Sequence, residues 1–429
     1  MAKLIWDKDG AAVDTRIQRF LAGDDVVLDR ALFLHDIRAS KAHVHGLARI
    51  GVVSEAEATA IDGALDDLAK AFERGEFVLD DRFEDGHSAI EAYLTERLGE
   101  PGKKVHTGRS RNDQVLVALR LYVRDALDRI HSHVKDAAAA FLDRAEADAE
   151  TPMPGYTHLQ RAVPSSVGLW LAGFAEAMID DAALVSGTRR WIDACPLGTA
   201  AGYGVNLPLD RQGVSDELGF SRLLVNPVYA QNSRGKLELG ALMALLQALF
   251  DVRRFAWDLS LYTTAEFAFV KLPAEYVTGS SIMPNKKNPD VVELLRASTA
   301  PVLGAMAEVE SVLSLSSGYH RDLQATKGPV LRALAHGIEA LSLVPDLVRR
   351  MDFDRAAMKA AITPDIFATD VAVELAAAGV PFRTAYRQVA DSLGSLAARK
   401  PEDSLAARTS PGATGKLMLD VLRERLATV

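Results

Sequence analysis

The sequence predicts a mainly α-helical protein, a central bundle of five long helices between two smaller helical domains. Three observations lead there. Apolar residues recur at spacings of three and four over long stretches, the period of one helical face. No proline interrupts the chain between Pro227 and Pro273. No run alternates apolar and polar residues as a half-buried strand would, and no internal repeat or low-complexity segment is present.

The first hundred or so residues read as short helices and loops, an N-terminal domain over 1–105. Leu116, Leu119, Val123, Leu127, Ile130, Val134, Ala137 and Phe141 then mark one stripe of the first long helix. A second helix is expected from near Pro164, since proline is tolerated in a first turn, to about Ala194. The third should run from Lys236 to about Lys271, roughly 50 Å of rod at 1.5 Å per residue. Its Leu237, Leu242, Leu245, Leu246, Leu249, Phe250 and Val252 cover more than one face, which predicts burial by other subunits. A fourth should open at Asn288-Pro289-Asp290, with asparagine as N-cap and proline in the first position, and be kinked or divided at Pro301. The fifth should span about Pro329 to Met351. The bundle domain is thus 106–352. Shorter helices with turns at Gly379-Val380-Pro381 and Ser410-Pro411-Gly412 make a C-terminal domain over 353–429.

Composition narrows the function. Of 429 residues, 48% are hydrophobic and 25% charged, the balance of a globular protein. A net charge of −9 argues against a nucleic-acid partner, which needs a basic surface. The lone Cys195 and the lack of Cys/His zinc spacing fit a reducing compartment and no metal. The opening residues lack the apolar run of a signal peptide, and the apolar stretch 237–261 carries Glu238, Asp251, Arg253, Arg254 and Asp258. A membrane span is therefore not expected, and the chain reads as cytoplasmic.

Four polar segments stand out. His106–Asp113 precedes the first long helix; its Asn112 or Asp113 can cap that helix, and Arg109 and Arg111 beside a helix start can bind a carboxylate. Thr151–Arg161 holds two prolines and Gly155, which puts His158 in or beside an interhelical loop. A loop histidine of this kind is most often an ordinary surface residue. Gly279–Asp290 places Ser280, Ser281, Lys286, Lys287 and Asn288 before a helix whose macrodipole lysines would oppose. That is costly for a connector and suited to an anionic substrate. Gly318–Lys327 carries a phenol, an amide and cations able to read a carboxylate or an amino-acid head group. The pairs His43/His45 and His131/His133 are spaced by two and point to different helix faces, so a metal site is not expected there.

At these four segments, and at Glu84–Ser88, the chain resembles the fumarase/aspartase superfamily and, within it, the argininosuccinate lyases. The match runs from about residue 13 to the C-terminus. The resemblance implies a three-domain helical protomer and a homotetramer around a shared helical core, with active sites assembled from three subunits. It implies a cofactor-free elimination of fumarate from argininosuccinate that leaves arginine. By resemblance Ser280 takes the proton from carbon, His158 handles the proton at the leaving nitrogen, Lys286 stabilises charge and Glu293 orients the histidine. Arg111, Asn112, Thr157, Ser110, Asn288, Tyr319, Gln324, Lys327, His87 and Arg234 match substrate-binding positions. The chain departs from the pattern near Phe20. Relatives have an Asn-x-Ser-like segment that supplies a substrate-binding serine; here the stretch is Phe20-Leu21-Ala22-Gly23-Asp24-Asp25, which leaves that contact unassigned. Gly86 stands where isoleucine is commoner and is expected to loosen its turn. The competing expectations are a sibling lyase acting on adenylosuccinate, aspartate or fumarate, and a crystallin-like structural role. Substrate profiling separates the first, and joint retention of Ser280, His158 and Lys286 argues against the second.

Overall fold

A computed structural model describes residues 15–429, and they are mainly helical. The chain falls into two compact units. One holds the residues up to Asp128 with Gly187–Met243 and Pro301–Ala335; the other holds Arg129–Ser186, Ala244–Ala300 and His336–Val429.

In the first unit, the helices Phe33–Arg49, Glu55–Glu73 and Gly86–Leu98 share one core. Phe33, Ile37, Val44 and Leu47 meet Ile61, Leu65, Leu68, Ile90 and Leu94, all at most 3% exposed. Each follows the helical period in its own helix, and full burial of such a side chain stabilises by about 1.5–3 kcal/mol. Two of these helices are fixed at their starts by reciprocal caps, Ser54 with Glu57 and Asp85 with Ser88. The second cap matters for function, because it sets His87 in the first turn of its helix.

The long helices are Arg111–Ala147, Val167–Ile192, Lys236–Tyr262, Thr299–Val312 and Lys327–Arg350. The predicted stripe from Leu116 to Phe141 is buried throughout. In the second unit, Phe141 meets Phe255 edge-on at 4.9 Å between ring centroids, and Phe174 meets Phe255 at 5.2 Å. Gly337 lets two helices close up: a Cβ there would lie 2.5 Å from a Leu245 methyl.

Several expectations are corrected. The third long helix stops at Tyr262, not near Lys271. The Thr263 and Thr264 hydroxyls donate to the carbonyls of Leu259 and Leu261, and the Phe269 N–H donates to the Tyr262 carbonyl, turning the chain back. Val270–Lys271 then pairs antiparallel with Asp352–Phe353. The apolar residues that prolong the helical pattern, Phe267 and Phe269, pack their rings against each other and Tyr262 from outside the helix. The second helix starts at Val167, where the Ser166 hydroxyl accepts the Leu169 N–H. Pro164 lies instead in a strand: Pro152–Thr157 and Gln160–Ser166 form an antiparallel hairpin that the sequence does not announce. Its three prolines hide the alternation. Asn288 is not an N-cap. It pairs with Thr278 in a two-residue ladder, and the next helix, Asp290–Ala297, begins after Pro289 without a side-chain cap. The chain does divide near Pro301. The break falls at Ser298, and Pro301 sits in the first turn of Thr299–Val312, where its missing N–H leaves no bond unmade.

Candidate active site

The predicted site residues fall into two groups. In the second unit, His158 and Leu159 are the two central residues of the hairpin turn, with φ of 54° and 59°. Two successive positive φ values define the type I′ turn that suits hairpin twist, normally filled by asparagine and glycine. His158, at the end of this paired ribbon, is exposed. Thr157 is the last paired residue before it, opposite Gln160.

Ser280 follows the strand Thr278–Gly279, whose pairing with Lys287–Asn288 closes the intervening loop. The Ser280 Oγ accepts the N–H of Met283 at 3.1 Å and of Ile282 at 3.4 Å. Two backbone dipoles aimed at one oxygen favour its anionic form, which is what a hydroxyl base needs. Lys286 and Glu293 are exposed. Glu293 lies 3.5 Å from Arg296, and Lys286 has no ion pair among the described residues. Among those residues no hydrogen bond joins His158 to Ser280, Lys286 or Glu293.

The first unit holds the other group, and it is densely charged. The Lys327 ammonium is buried between two carboxylates, Asp25 Oδ1 and Asp29 Oδ1, each at 2.6 Å. Burial opposes its charge, but Asp29 and Asp25 outweigh burial and hold Lys327 above the ordinary lysine range. Arg111 Nη1 reaches Glu84 at 2.8 Å and Asp85 at 3.0 Å. His87 Nδ1 pairs with Asp36 at 2.5 Å, and Gln114 donates to the same carboxylate at 3.0 Å. The guanidinium of Arg234 lies 5.7 Å from the centre of the Tyr319 ring. Gln324 donates to the Leu21 carbonyl at 3.0 Å. Asn112 is half-buried beside Ser110, whose hydroxyl accepts the Asn112 N–H at 3.3 Å.

The capping reading of His106–Asp113 holds for Asp113. This buried carboxylate accepts the N–H of Ser110 at 2.8 Å, and also those of Gly198 and Ala200 at 3.0 and 2.8 Å. Arg109 is buried and donates to Ser40. Gly86 does not loosen its turn: its N–H donates to Asp29 at 2.9 Å, and a Cβ would press on Asp29 and Phe33 at 3.3 Å. His43 donates from Nε2 to the Thr107 carbonyl and His45 pairs with Glu217, structural roles in both cases. Among the described residues no group of three or more His, Cys, Asp or Glu is placed to hold a metal ion. No helix among them is long and apolar enough to cross a membrane.

Motif reading of the sequence misses Asp25, Asp29 and Asp36 as site residues. A signal for them exists, since the three acids are spaced by four and seven, a helical period, in the largely apolar stretch 25–37.

With this geometry in view, comparison with known proteins is specific. The lyase family profile matches residues 18–304. An argininosuccinate lyase of Xanthomonas oryzae pv. oryzae is 57% identical over 430 residues, covering 100% of both chains. One from Xanthomonas campestris pv. campestris is 59% identical over 428 residues, covering 99% of both. This chain belongs to the argininosuccinate lyase family. The fold agrees: an EDDS lyase crystallised with formate superposes with a TM-score of 0.78 at 23% identity, over 96% of this chain and 90% of that one. The mainly helical architecture is therefore that of the fumarase/aspartase superfamily to which the argininosuccinate lyases belong.

Proposed function

We propose that the protein is an argininosuccinate lyase, which cleaves argininosuccinate to arginine and fumarate in arginine biosynthesis. The observation that carries the mechanism is the Ser280 hydroxyl, which faces two backbone N–H donors at the mouth of a loop. In the ionised form Ser280 Oγ takes the proton from the carbon beside the succinyl carboxylate. The electron pair left behind is held as a doubly charged carboxylate, which Lys286 and Asn288 stabilise. The C–N bond then breaks, the pair forms the fumarate double bond, and His158 delivers a proton to the departing guanidine nitrogen. Glu293 orients that histidine. Ser110, Arg111, Asn112 and Thr157 bind around the fumarate half; His87, Arg234, Tyr319, Gln324 and Lys327 bind the remainder.

A homotetramer, with each site drawing residues from three subunits, is part of this reading. The exposure of His158 on its hairpin and of Lys286 and Glu293 supports it, since among the described residues no hydrogen bond joins His158 to Ser280, Lys286 or Glu293 within one chain. Domains over 1–105, 106–352 and 353–429 and a cytoplasmic location complete the proposal.

The test is direct. Purified protein is mixed with argininosuccinate, and fumarate absorbance and arginine are followed together. Equimolar products are expected, with turnover lowered about 10²–10⁴-fold by Ser280→Ala at unchanged oligomeric mass. A folded wild-type protein that releases no fumarate sinks the reading.

A further inference from the structure

A cleft of about 390 Å³ opens in the second unit beside the hairpin that ends in His158, a size within the range of small-molecule sites. Tyr156 and His158 line it from the hairpin and Trp170 from the helix that follows. Asp258, Tyr262 and Phe267 line it from the end of the Lys236–Tyr262 helix and the turn beyond. Four of these are rings in mutual contact. Trp170 meets Tyr262 edge-on at 5.3 Å between centroids, Tyr262 lies 6.0 Å from Phe267, and Phe267 meets Tyr156 at 5.6 Å. The faces of such rings are electronegative and attract cations. Among the described residues, the arginines of this unit that stack do so elsewhere, Arg144 over Phe353 and Arg296 over Trp257.

The cleft also holds one carboxylate without a counter-ion. Asp258 Oδ2 accepts the Trp170 indole N–H at 2.9 Å, which fixes the acid against the wall of rings. Asp258 Oδ1 has no hydrogen-bond or ion-pair partner among the described residues. Arg254, exposed one turn earlier on the same helix, acts on the acid only through space. A tie between two helices needs the bond to Trp170 and no more; it does not need an open oxygen in an aromatic cleft. A half-buried carboxylate fixed in place, with rings on its other sides, is complementary to a cation that both stacks and donates a hydrogen bond.

We propose that this cleft is a separate binding site for a small organic cation that carries an N–H, of the alkylammonium or guanidinium class. Asp258 accepts its hydrogen bond, and Trp170, Tyr262, Tyr156 and Phe267 form its walls. Of the residues assigned to substrate and catalysis above, the cleft shares His158 alone. A cation seated there lies against the turn that carries this histidine, so the site is placed to act on it. The inference goes beyond the assigned reaction and stands whether or not that reaction does.

The experiment titrates three probes into the full-length protein, by calorimetry and ligand-observed NMR. Benzylamine is an N–H-bearing cation at neutral pH, benzyl alcohol its neutral counterpart, and benzyltrimethylammonium a cation with no N–H. Wild-type protein should bind benzylamine roughly tenfold or more tighter than benzyl alcohol, the worth of a charged hydrogen bond, with benzyltrimethylammonium between them. Asp258→Asn keeps an acceptor for Trp170 and removes the charge, so it should bring benzylamine to the level of benzyl alcohol and leave benzyl alcohol unchanged. Phe267→Leu removes one wall and should weaken both cations several-fold; it serves as the second variant should Asp258→Asn fail to fold. Equal wild-type affinity for benzylamine and benzyl alcohol overturns the proposal, whatever the variants do. No binding of benzylamine by the folded protein overturns it too, and points to a neighbouring subunit that fills the cleft. Wild-type affinity for benzylamine in a folded Asp258→Asn likewise overturns it, because the cation then binds elsewhere.

Discussion

His87 Nδ1 lies 2.5 Å from Asp36 Oδ2, with 8% and 3% of the two side chains exposed. Burial opposes the imidazolium, but the Asp36 carboxylate, with Asp85 and Asp29 behind it, pushes the His87 pKa up to about 9. At neutral pH the ring is charged, Nδ1–H is spent on Asp36, and the buried Nε2 has no hydrogen-bond partner among the described residues. In the proposed site, that leaves an N–H donor for a substrate carboxylate.

The pair also makes stability depend on pH. The folded pKa lies above the ordinary histidine value, so the stabilisation is complete below about 6.5 and is lost as pH rises through about 9. Each tenfold gain in proton affinity on folding is worth about 1.4 kcal/mol, so the pair contributes on the order of 3 kcal/mol at low pH. Urea unfolding of wild type and His87→Gln between about pH 6 and 10 should show a gap that closes toward pH 9 and above. A gap constant across that range would mean that His87 does not carry the charge.

The helix Lys236–Tyr262 shows its outer face at a fixed interval. Met243, Phe250 and Trp257 follow one another by seven residues and are 43%, 38% and 49% exposed. A stripe of large apolar residues at heptad spacing is the seam by which helices of separate chains pack. If this stripe is the seam of the proposed homotetramer, Phe250→Asp and Trp257→Asp should each give smaller species than wild type in sedimentation velocity. Activity should fall with them, because the proposed site draws residues from neighbouring subunits. If both variants keep the wild-type mass, this stripe is not the tetramer interface.

Legibility of the sequence follows the range of the forces involved. Helical periodicity locates the five long helices, because one face of each must be buried and that constraint repeats every turn. It fails where a feature depends on a partner distant in sequence. Phe267 and Phe269 fit a helical register but pack on Tyr262 from beyond the helix end. The Pro152–Ser166 hairpin is set by pairing around a two-residue turn that uses His158 and Leu159 instead of asparagine and glycine. The site shows the same contrast. Ser280, Lys286 and His158 lie in contiguous, unusual segments. Asp25, Asp29 and Asp36 gain their meaning only when the chain brings Lys327 and His87 to them.

Asp113 shows what a carboxylate does when its work is structural. It is fully buried, and burial raises its pKa to about 6 against the three N–H groups and the Arg109 charge that favour its ionised form. Those N–H groups come from Ser110 and from Gly198 and Ala200, so one side chain ties the start of the Arg111–Ala147 helix to a loop of the same unit. Asparagine keeps the shape but offers one acceptor oxygen for two, so one side of the tie must break. Asp113→Asn should therefore cost about 1–3 kcal/mol of stability, and Asp113→Ala more, because all three N–H groups lose their acceptor. Hydrogen–deuterium exchange at the Gly198 and Ala200 amides should accelerate in both variants, and KM for argininosuccinate should rise as Ser110 and Asn112 lose their fixed position. Exchange at those two amides unchanged in Asp113→Ala would show that the loop is held by other contacts and that Asp113 serves the helix start alone.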